Sequence, residues 1–379
     1  MIQKRIFLSA GDESGDIHAS NLMREVRRQA GPVAFVGLGM RRMLAEGLEP
    51  LEEELRGGSA MWLHSVLRIA QFRRRLGACR KAFRAGDIDL VVLVDFGGFN
   101  LYLARAATAA GIPVLYYILP QVWAHGRYRL KKIRKWVTRA LVIYPFEPPL
   151  YRRYGVEAEY VGHPLFDQIA QSPPGEEQVR AVREEVGGRL VALFPGSRQQ
   201  ELRSIMPILL RSCARLQEAL PELRFAAVCP QAVRPVAEGL LARGSLEIRL
   251  LDVPPTVLAR ASDLCITKSG TITLEIASQM KPMVILYRVS PLFHFLGHGV
   301  AQTDYIGLVN NLAERMVCPE KAMWRDDPDW VYEQAMPLLT DPARYEQCRS
   351  DIQAVVQPIA RAGASRRAAE AVLELQGGT

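Results

Sequence analysis

Short apolar runs recur along the chain at RIFLSA (5–10), DLVVLVD (89–95), PVLYYIL (113–119) and ALVIYPF (140–146). Each is too short for a buried helix, several are rich in β-branched residues, and segments of helical period separate them. Strands alternating with helices imply βαβ units and a parallel sheet. The pattern stops at QSPPGEEQ (171–178), a polar stretch whose Pro173, Pro174 and Gly175 mark a linker. It then restarts with RLVALFPGSR (189–198), LRFAAVCP (223–230), LEIRLLD (246–252), DLCITKSGT (263–271) and PMVILYR (282–288). The chain therefore predicts an α/β protein of two doubly wound Rossmann-like domains in series, facing a central cleft. The segment after Ala360, RAGASRRAAEAVLELQ, is helical by composition, and its own pattern leaves its docking site open.

Length agrees with this division, because 379 residues exceed what one compact core usually supports. At 49% hydrophobic and 23% charged residues the composition excludes disordered and fibrous classes. The net charge of +8 is uneven: residues 1–168 hold 25 Lys+Arg against 16 Asp+Glu, and the remainder 23 against 24, so the basic character belongs to the first half. Much of it lies in RIAQFRRRLGACRKAFR from Arg68 and RYRLKKIRKWVTR from Arg127, which read as basic helices. Such faces attract nucleic acid, anionic lipid or phosphorylated substrates, the alternative being a solvated face without a partner. The preceding AMWLHSVLRIAQF (60–72) carries Met61, Trp62, Leu63, Val66, Leu67, Ile69 and Phe72 beside Arg73, Arg74 and Arg75, which suits either an interfacial helix or one packed in the core. Six separated cysteines with no metal spacing read as buried thiols in a reducing compartment. No apolar run approaches the ~20 residues of a membrane span, and the first residues lack a signal-peptide core. The expectation is a cytoplasmic protein whose membrane contact is peripheral.

Ligands of open parallel sheets bind beyond the carboxyl ends of the strands, and four loops there carry chemistry. In VVLVDFGGFN a buried strand runs into Asp95, two glycines open a turn, and the next functional group is Asn100. In AGDESGD (10–16) the start of a helix near Ile17 offers backbone N–H groups, while Asp12, Glu13 and Asp16 would repel a pyrophosphate. A polar sugar or a cation fits that loop better, with Ser14 and Gly15 as its contacts; an acid-capped helix start is the competing reading. FPGSRQQE (194–201) places Ser197 and Arg198 just before a helix, and a guanidinium beside backbone N–H groups makes a phosphate clamp. KSGTITLEIA (268–277) repeats the device with Ser269, Gly270 and Thr271, and Glu275 follows one turn later, where a carboxylate suits ribose hydroxyls. Two phosphate-type loops without a Walker motif or dinucleotide fingerprint point to a nucleotide-sugar donor. The six histidines show no metal spacing and read as structural groups or hydrogen-bond partners.

Taken together, AGDESGD, FVGLGMRRMLAEG, DFGGFN, LPQVWAHGRYRLKKI, YPFEPPLYRRYGV, YVGHPLFD, LFPGSRQQELRSIMP, KSGTITLEIA and TDYIGLVNNLA resemble the lipid-A-disaccharide synthase family of GT-B glycosyltransferases over nearly the whole chain. The resemblance implies transfer of diacylglucosamine from UDP-2,3-diacylglucosamine to 2,3-diacylglucosamine 1-phosphate (lipid X), with inversion and release of UDP, on the inner face of the inner membrane. It implies no metal, no cofactor and no nucleic-acid partner, the UDP-sugar being a substrate. Arg198, Ser269, Thr271, Glu275 and Asn310 match the donor side. The tail would cross back to the first domain, giving an acceptor-side and membrane-facing domain of residues 1–170 plus 357–379 and a donor domain of residues 171–356. The chain departs from the family at Gly98, where the usual residue is an aspartate thought to be catalytic, at Asp12, where it is glutamate, at His125, where it is tryptophan, and at Met323, near a usual glutamine. With Gly98 unable to accept a proton, Asp95 and Glu13 become the candidate bases. Two other readings remain: a relative that binds a nucleotide sugar with altered acceptor or no turnover, and an enzyme like UDP-GlcNAc 2-epimerase, which would act on UDP-GlcNAc alone.

Overall fold

Thirteen strands form in the computed structural model, which describes residues 4–51, 66–123, 126–242, 244, 246–290 and 303–377. In the first half lie β1 (Arg5–Ser9), β2 (Ala34–Leu38), β3 (Leu48–Pro50), β4 (Leu90–Val94), β5 (Val114–Tyr117), β6 (Arg139–Val142) and β7 (Ala158–Tyr160), all parallel, in the order β3-β2-β1-β4-β5-β6-β7. The second half holds β8 (Arg189–Phe194), β9 (Leu223–Val228), β10 (Ile248–Leu251), β11 (Leu264–Lys268), β12 (Met283–Arg288) and β13 (Glu320–Met323), again parallel, in the order β10-β9-β8-β11-β12-β13. Helices cover both faces of such sheets, which is why their central strands read as unbroken apolar runs. All five residues of β4 are buried. The strands not anticipated from the apolar runs are β2 and the short β3, β7 and β13, of which the last three have polar residues and lie at sheet edges.

The chain divides into two compact units, Met1–Asp167 with Arg361–Thr379, and Gln168–Ala360. In each, the strand order reverses once, between β1 and β4 and between β8 and β11. Such switch points open a crevice at the carboxyl ends of the two strands. The four loops singled out in the sequence follow these four strands.

The C-terminal helix (Ala364–Gly377) packs on the helix Glu13–Ala30 of the first unit. Buried Asp167 anchors it, its carboxylate accepting from the backbone N–H groups of Gly363, Ala364 and Ser365. Lys4 Nζ donates to Gln376 O (2.7 Å), and Arg139 bridges Glu159 and Glu374. The basic helix Val66–Ala85 turns Leu76, Cys79 and Phe83 into the core and leaves Arg73, Arg74, Arg80, Lys81 and Arg84 exposed. Phe72, which the sequence allows on either an interfacial or a core-packed face, packs edge-on against Phe99 and Tyr102. Met61, Trp62 and Leu63 lie outside the described residues. All six cysteines are buried and unbridged. No described helix is long and apolar enough to cross a membrane.

Candidate active site

β4 ends at Val94, and the next helix (Gly97–Ala109) starts almost at once, so the expected glycine turn is the first turn of a helix. The chain reverses instead through Asp95 and Phe96, both at positive φ (48° and 54°). Left-handed non-glycine residues cost about 1–3 kcal/mol each and persist only where neighbours hold them. Here Asp95 N–H donates to Tyr117 O (3.0 Å), and Asp95 O accepts from Tyr116 Oη (2.8 Å) and Asn100 Nδ2 (2.8 Å). Asn100 is fully buried, its Nδ2 also reaches Val94 O and Ser9 O, and its Oδ1 accepts from Ser9 Oγ (2.7 Å). Expected to contact substrate, Asn100 has its hydrogen-bonding capacity turned inward and braces the strained turn from behind.

The Asp95 carboxylate is half-buried, and burial first, then the nearby Asp12 charge, pushes it up to about 6 against an opposing hydrogen bond from the Phe96 backbone. A carboxylate tuned towards neutrality is what a general base requires. Glu13 is different. The preceding helix starts at Glu13 rather than near Ile17, with Asp12 as its N-cap accepting from Gly15 N–H (2.8 Å). Glu13 and Ser14 are exposed in its first turn, and the Gly15 amide expected to meet substrate is taken by Asp12. Asp16 is buried and accepts from Met40 N (2.7 Å) and Arg42 N (2.8 Å), so it caps the following short helix (Arg41–Ala45). The acid-capped reading of this loop is the one the geometry supports.

Asp95 opens onto a pocket of about 250 Å³ at the ends of β4, β5 and β6, lined also by Gly97, Ile118 to Gln121, Arg129, Ile143, Tyr144 and Glu147. Glu147 is buried, accepts from Trp123 Nε1 (3.1 Å), Ile143 N (3.1 Å) and Tyr144 N (2.9 Å), and is pushed up to about 7 by burial. Its bonds to two backbone amides fix the turn after β6. His163 Nδ1 accepts from Leu165 N (3.1 Å), and burial lowers the ring to about 3, so the neutral tautomer carries its proton on Nε2, 3.5 Å from Tyr144 Oη. Tyr144 is thereby oriented at the pocket wall. Gly98 faces solvent, and a Cβ there would meet nothing within 4 Å.

In the second unit, β8 runs into Pro195 and Gly196, whose φ of 117° excludes a side chain comfortably. The space is taken by Glu201, from the first turn of the helix Gln199–Ala219; a Cβ at Gly196 would lie 2.8 Å from the Glu201 Cβ. Glu201 Oε1 lies 2.9 Å from Lys268 Nζ and 3.7 Å from Arg198 Nη1, drawing two cations from adjacent loops onto one oxygen. Arg198 is 55% exposed and Lys268 22%, so an incoming diphosphate can compete with Glu201 for both. Ser197 and Thr271 are exposed, Gly270 is half-buried, and Ser269 is buried with Oγ donating to Ile306 O (2.6 Å). Glu275 is pushed up to about 7 by burial, with no ion-pair partner among the described residues. A protonatable carboxyl there can exchange hydrogen bonds with hydroxyls. Asn310, expected on the donor side, is fully buried: Oδ1 accepts from Val317 N (2.8 Å) and Cys318 N (2.9 Å), and Nδ2 donates to Cys318 O (2.7 Å) and Glu320 Oε2 (2.8 Å). It shapes the loop that holds Ser269 and has no group left for a ligand.

Lys268, Glu201, Arg129, Tyr144 and Glu147 were not among the candidates. Lys268 directly precedes Ser269 and Glu201 ends the PGSRxxE motif, so both were visible. Arg129 was one cation among many in a basic run, and the value of Tyr144 and Glu147 depends on burial.

The described architecture is shared with S. aureus MnaA solved with UDP (TM-score 0.67, 15% identity, 98% of both chains) and with a UDP-GlcNAc 2-epimerase from Neisseria meningitidis bound to UDP-GlcNAc (TM-score 0.65, 14% identity, 99% of this chain and 100% of the other). It is also shared with the glycotransferase of kitacinnamycin (TM-score 0.62, 15% identity, 98% and 99%). At these identities the likeness concerns the fold, and with the paired Rossmann-like sheets it defines a GT-B protein. Residues 6–375 match the lipid-A-disaccharide synthetase family. The lipid-A-disaccharide synthase of Geobacter sulfurreducens is 36% identical over 98% of this chain and 97% of its own length, and that of Myxococcus xanthus 34% identical over 98% and 97%. The chain belongs to this family and is a glycosyltransferase, of the hexosyltransferase type, in lipid A biosynthesis.

Proposed function

We propose that the chain transfers diacylglucosamine from UDP-2,3-diacylglucosamine to 2,3-diacylglucosamine 1-phosphate, inverting the anomeric centre and releasing UDP. The observation that carries this reading is Asp95: a strained, half-buried carboxylate held near neutrality over a pocket at the ends of β4, β5 and β6 in the first unit. The acceptor hydroxyl attacks the anomeric carbon as its proton passes to Asp95. The bond from that carbon to the diphosphate breaks, and the electron pair leaves with UDP. In the second unit Arg198 and Lys268, with the Ser269–Thr271 loop, meet the diphosphate charge, and Glu275 meets ribose hydroxyls. The UDP-sugar is a substrate, and no resident cofactor or metal enters the scheme. The acylated sugars reside in a membrane, and the exposed arginines of Val66–Ala85 suit the anionic inner face of the inner membrane.

The test is an assay of purified protein with both lipids in mixed micelles, reading UDP and disaccharide together. Equal amounts of each, a product linkage opposite in configuration to the donor, and full activity in EDTA are expected. UDP release without disaccharide, retained configuration, or conversion of UDP-GlcNAc alone would each overturn the proposal.

A further inference from the structure

We propose that Arg129 is the anion subsite of the pocket beside Asp95, receiving a phosphoryl group carried by the acceptor sugar. The inference rests on the reading of that pocket as the acceptor site.

Arg129 opens the basic helix Arg129–Trp136, but its guanidinium does not join the solvated face. It is half-buried and lines the pocket with Asp95 and Tyr144. Two glycine backbones flank it. A Cβ on Gly126 would lie 3.4 Å from Arg129 Nε, and one on Gly97 would lie 3.5 Å from Nη1, so the guanidinium runs in ordinary contact range of both segments and ends over the pocket.

Among the described residues no carboxylate pairs with Arg129, whereas Arg139 bridges Glu159 and Glu374, and Arg198 and Lys268 share Glu201. Its guanidinium carbon lies over the Tyr128 ring, 5.6 Å from the centroid. The pocket's own acids do not neutralise it: Glu147 is bound by three N–H donors, and Asp95 is pushed up rather than down. The neighbouring Tyr116 and Tyr151 hydroxyls donate to Asp95 O and Pro120 O, both at 2.8 Å, and are likewise committed.

A partly desolvated guanidinium with five donors and no counter-charge is costly unless a ligand supplies the anion. The same pocket holds a base for a hydroxyl. Its ligand therefore offers both a hydroxyl and an anionic group, which is the chemistry of a phosphorylated sugar. The fork of Arg suits a phosphate bidentately, in a way a lysine does not reproduce.

The experiment compares kcat/KM for the phosphorylated acceptor and its dephosphorylated counterpart in the wild type, Arg129→Ala and Arg129→Lys, with calorimetric binding of both acceptors in parallel. A lost charge-assisted hydrogen bond is worth about tenfold or more, so Arg129→Ala should lose about that on the phosphorylated acceptor alone, mostly in KM, and Arg129→Lys should recover part of it. Equal losses on both acceptors, or a wild-type preference for phosphate that survives in Arg129→Ala, would overturn the inference. If the wild type binds the phosphorylated sugar through Arg129 but transfers nothing to it, the subsite stands and the transfer reading falls. If the wild type does not bind it more tightly than the dephosphorylated sugar, the subsite falls.

Discussion

Replacing Asp95 by asparagine removes a proton acceptor while preserving shape. Asparagine adopts the left-handed conformation about as readily as aspartate, so the turn between β4 and its helix should survive at φ 48°. A positioned general base usually contributes about 10² to 10⁴ in rate, and turnover should fall at least about a hundredfold. UDP affinity, which the proposed donor site assigns to the second unit, should not change. The pH profile gives a second readout. With Asp95 at about 6, kcat/KM in the wild type should rise with pH through that value and level off above it. Asp12→Asn keeps an N-cap for the helix Glu13–Ala30 but removes the like charge, so the limb should move to lower pH.

Stability should move in the opposite sense to activity. The folded carboxyl lies above its ordinary 3.8, so its charge opposes folding. That cost is absent below about 3.8, grows as pH rises through the window, and is complete above about 6. At about 1.4 kcal/mol per pH unit, and discounted for the partial exposure of the side chain, it amounts to on the order of 2 kcal/mol. Asp95→Asn should therefore melt a few degrees higher than the wild type at pH 8 and alike at pH 4. A variant that keeps its rate to within threefold, or whose pH limb is unchanged, would refute the assignment of Asp95 as base.

Arg198→Ala should weaken UDP binding about tenfold or more, the scale of one charge-assisted hydrogen bond; unchanged affinity by calorimetry would remove the proposed clamp. Gly98→Asp should be accommodated, since its Cβ meets open space, and should raise turnover by restoring a carboxylate at the helix start; an unaltered or lower kcat would show that Asp95 alone serves. Asp167→Ala leaves three backbone N–H groups of the C-terminal return unbonded and should destabilise the first unit by about 2 kcal/mol or more, read as earlier melting and faster amide exchange in Ala364–Gly377. Serine at Trp62 and Leu63 should reduce flotation with anionic liposomes; binding indifferent to both the substitutions and the anionic lipid would argue against a membrane role for that segment.

Sequence alone determined the α/β class, the linker region and the strand ends where chemistry collects, because apolar runs, glycine-proline turns and caps act over a few neighbouring residues. It singled out Asp95, Arg198 and Glu275 for the same reason: each sits at a fixed offset from a buried strand. Tertiary structure decided what these groups can do. Asn100 and Asn310 look like ligand contacts in the sequence, yet the fold turns their amides inward, Asn100 to Ser9 across the sheet and to the strand end before it, Asn310 to the loop that follows it. Lys268 meets Glu201 only because β8 and β11 are neighbours in the sheet. Arg129, one cation among many in a basic run, is set apart only by its half-buried place in the wall of the pocket beside Asp95. The value of Asp95 likewise depends on burial and on Asp12, a residue brought near by the pairing of β1 with β4. Electrostatic and steric effects of this kind act through space, and the order of residues along the chain does not encode those distances until the sheet has formed.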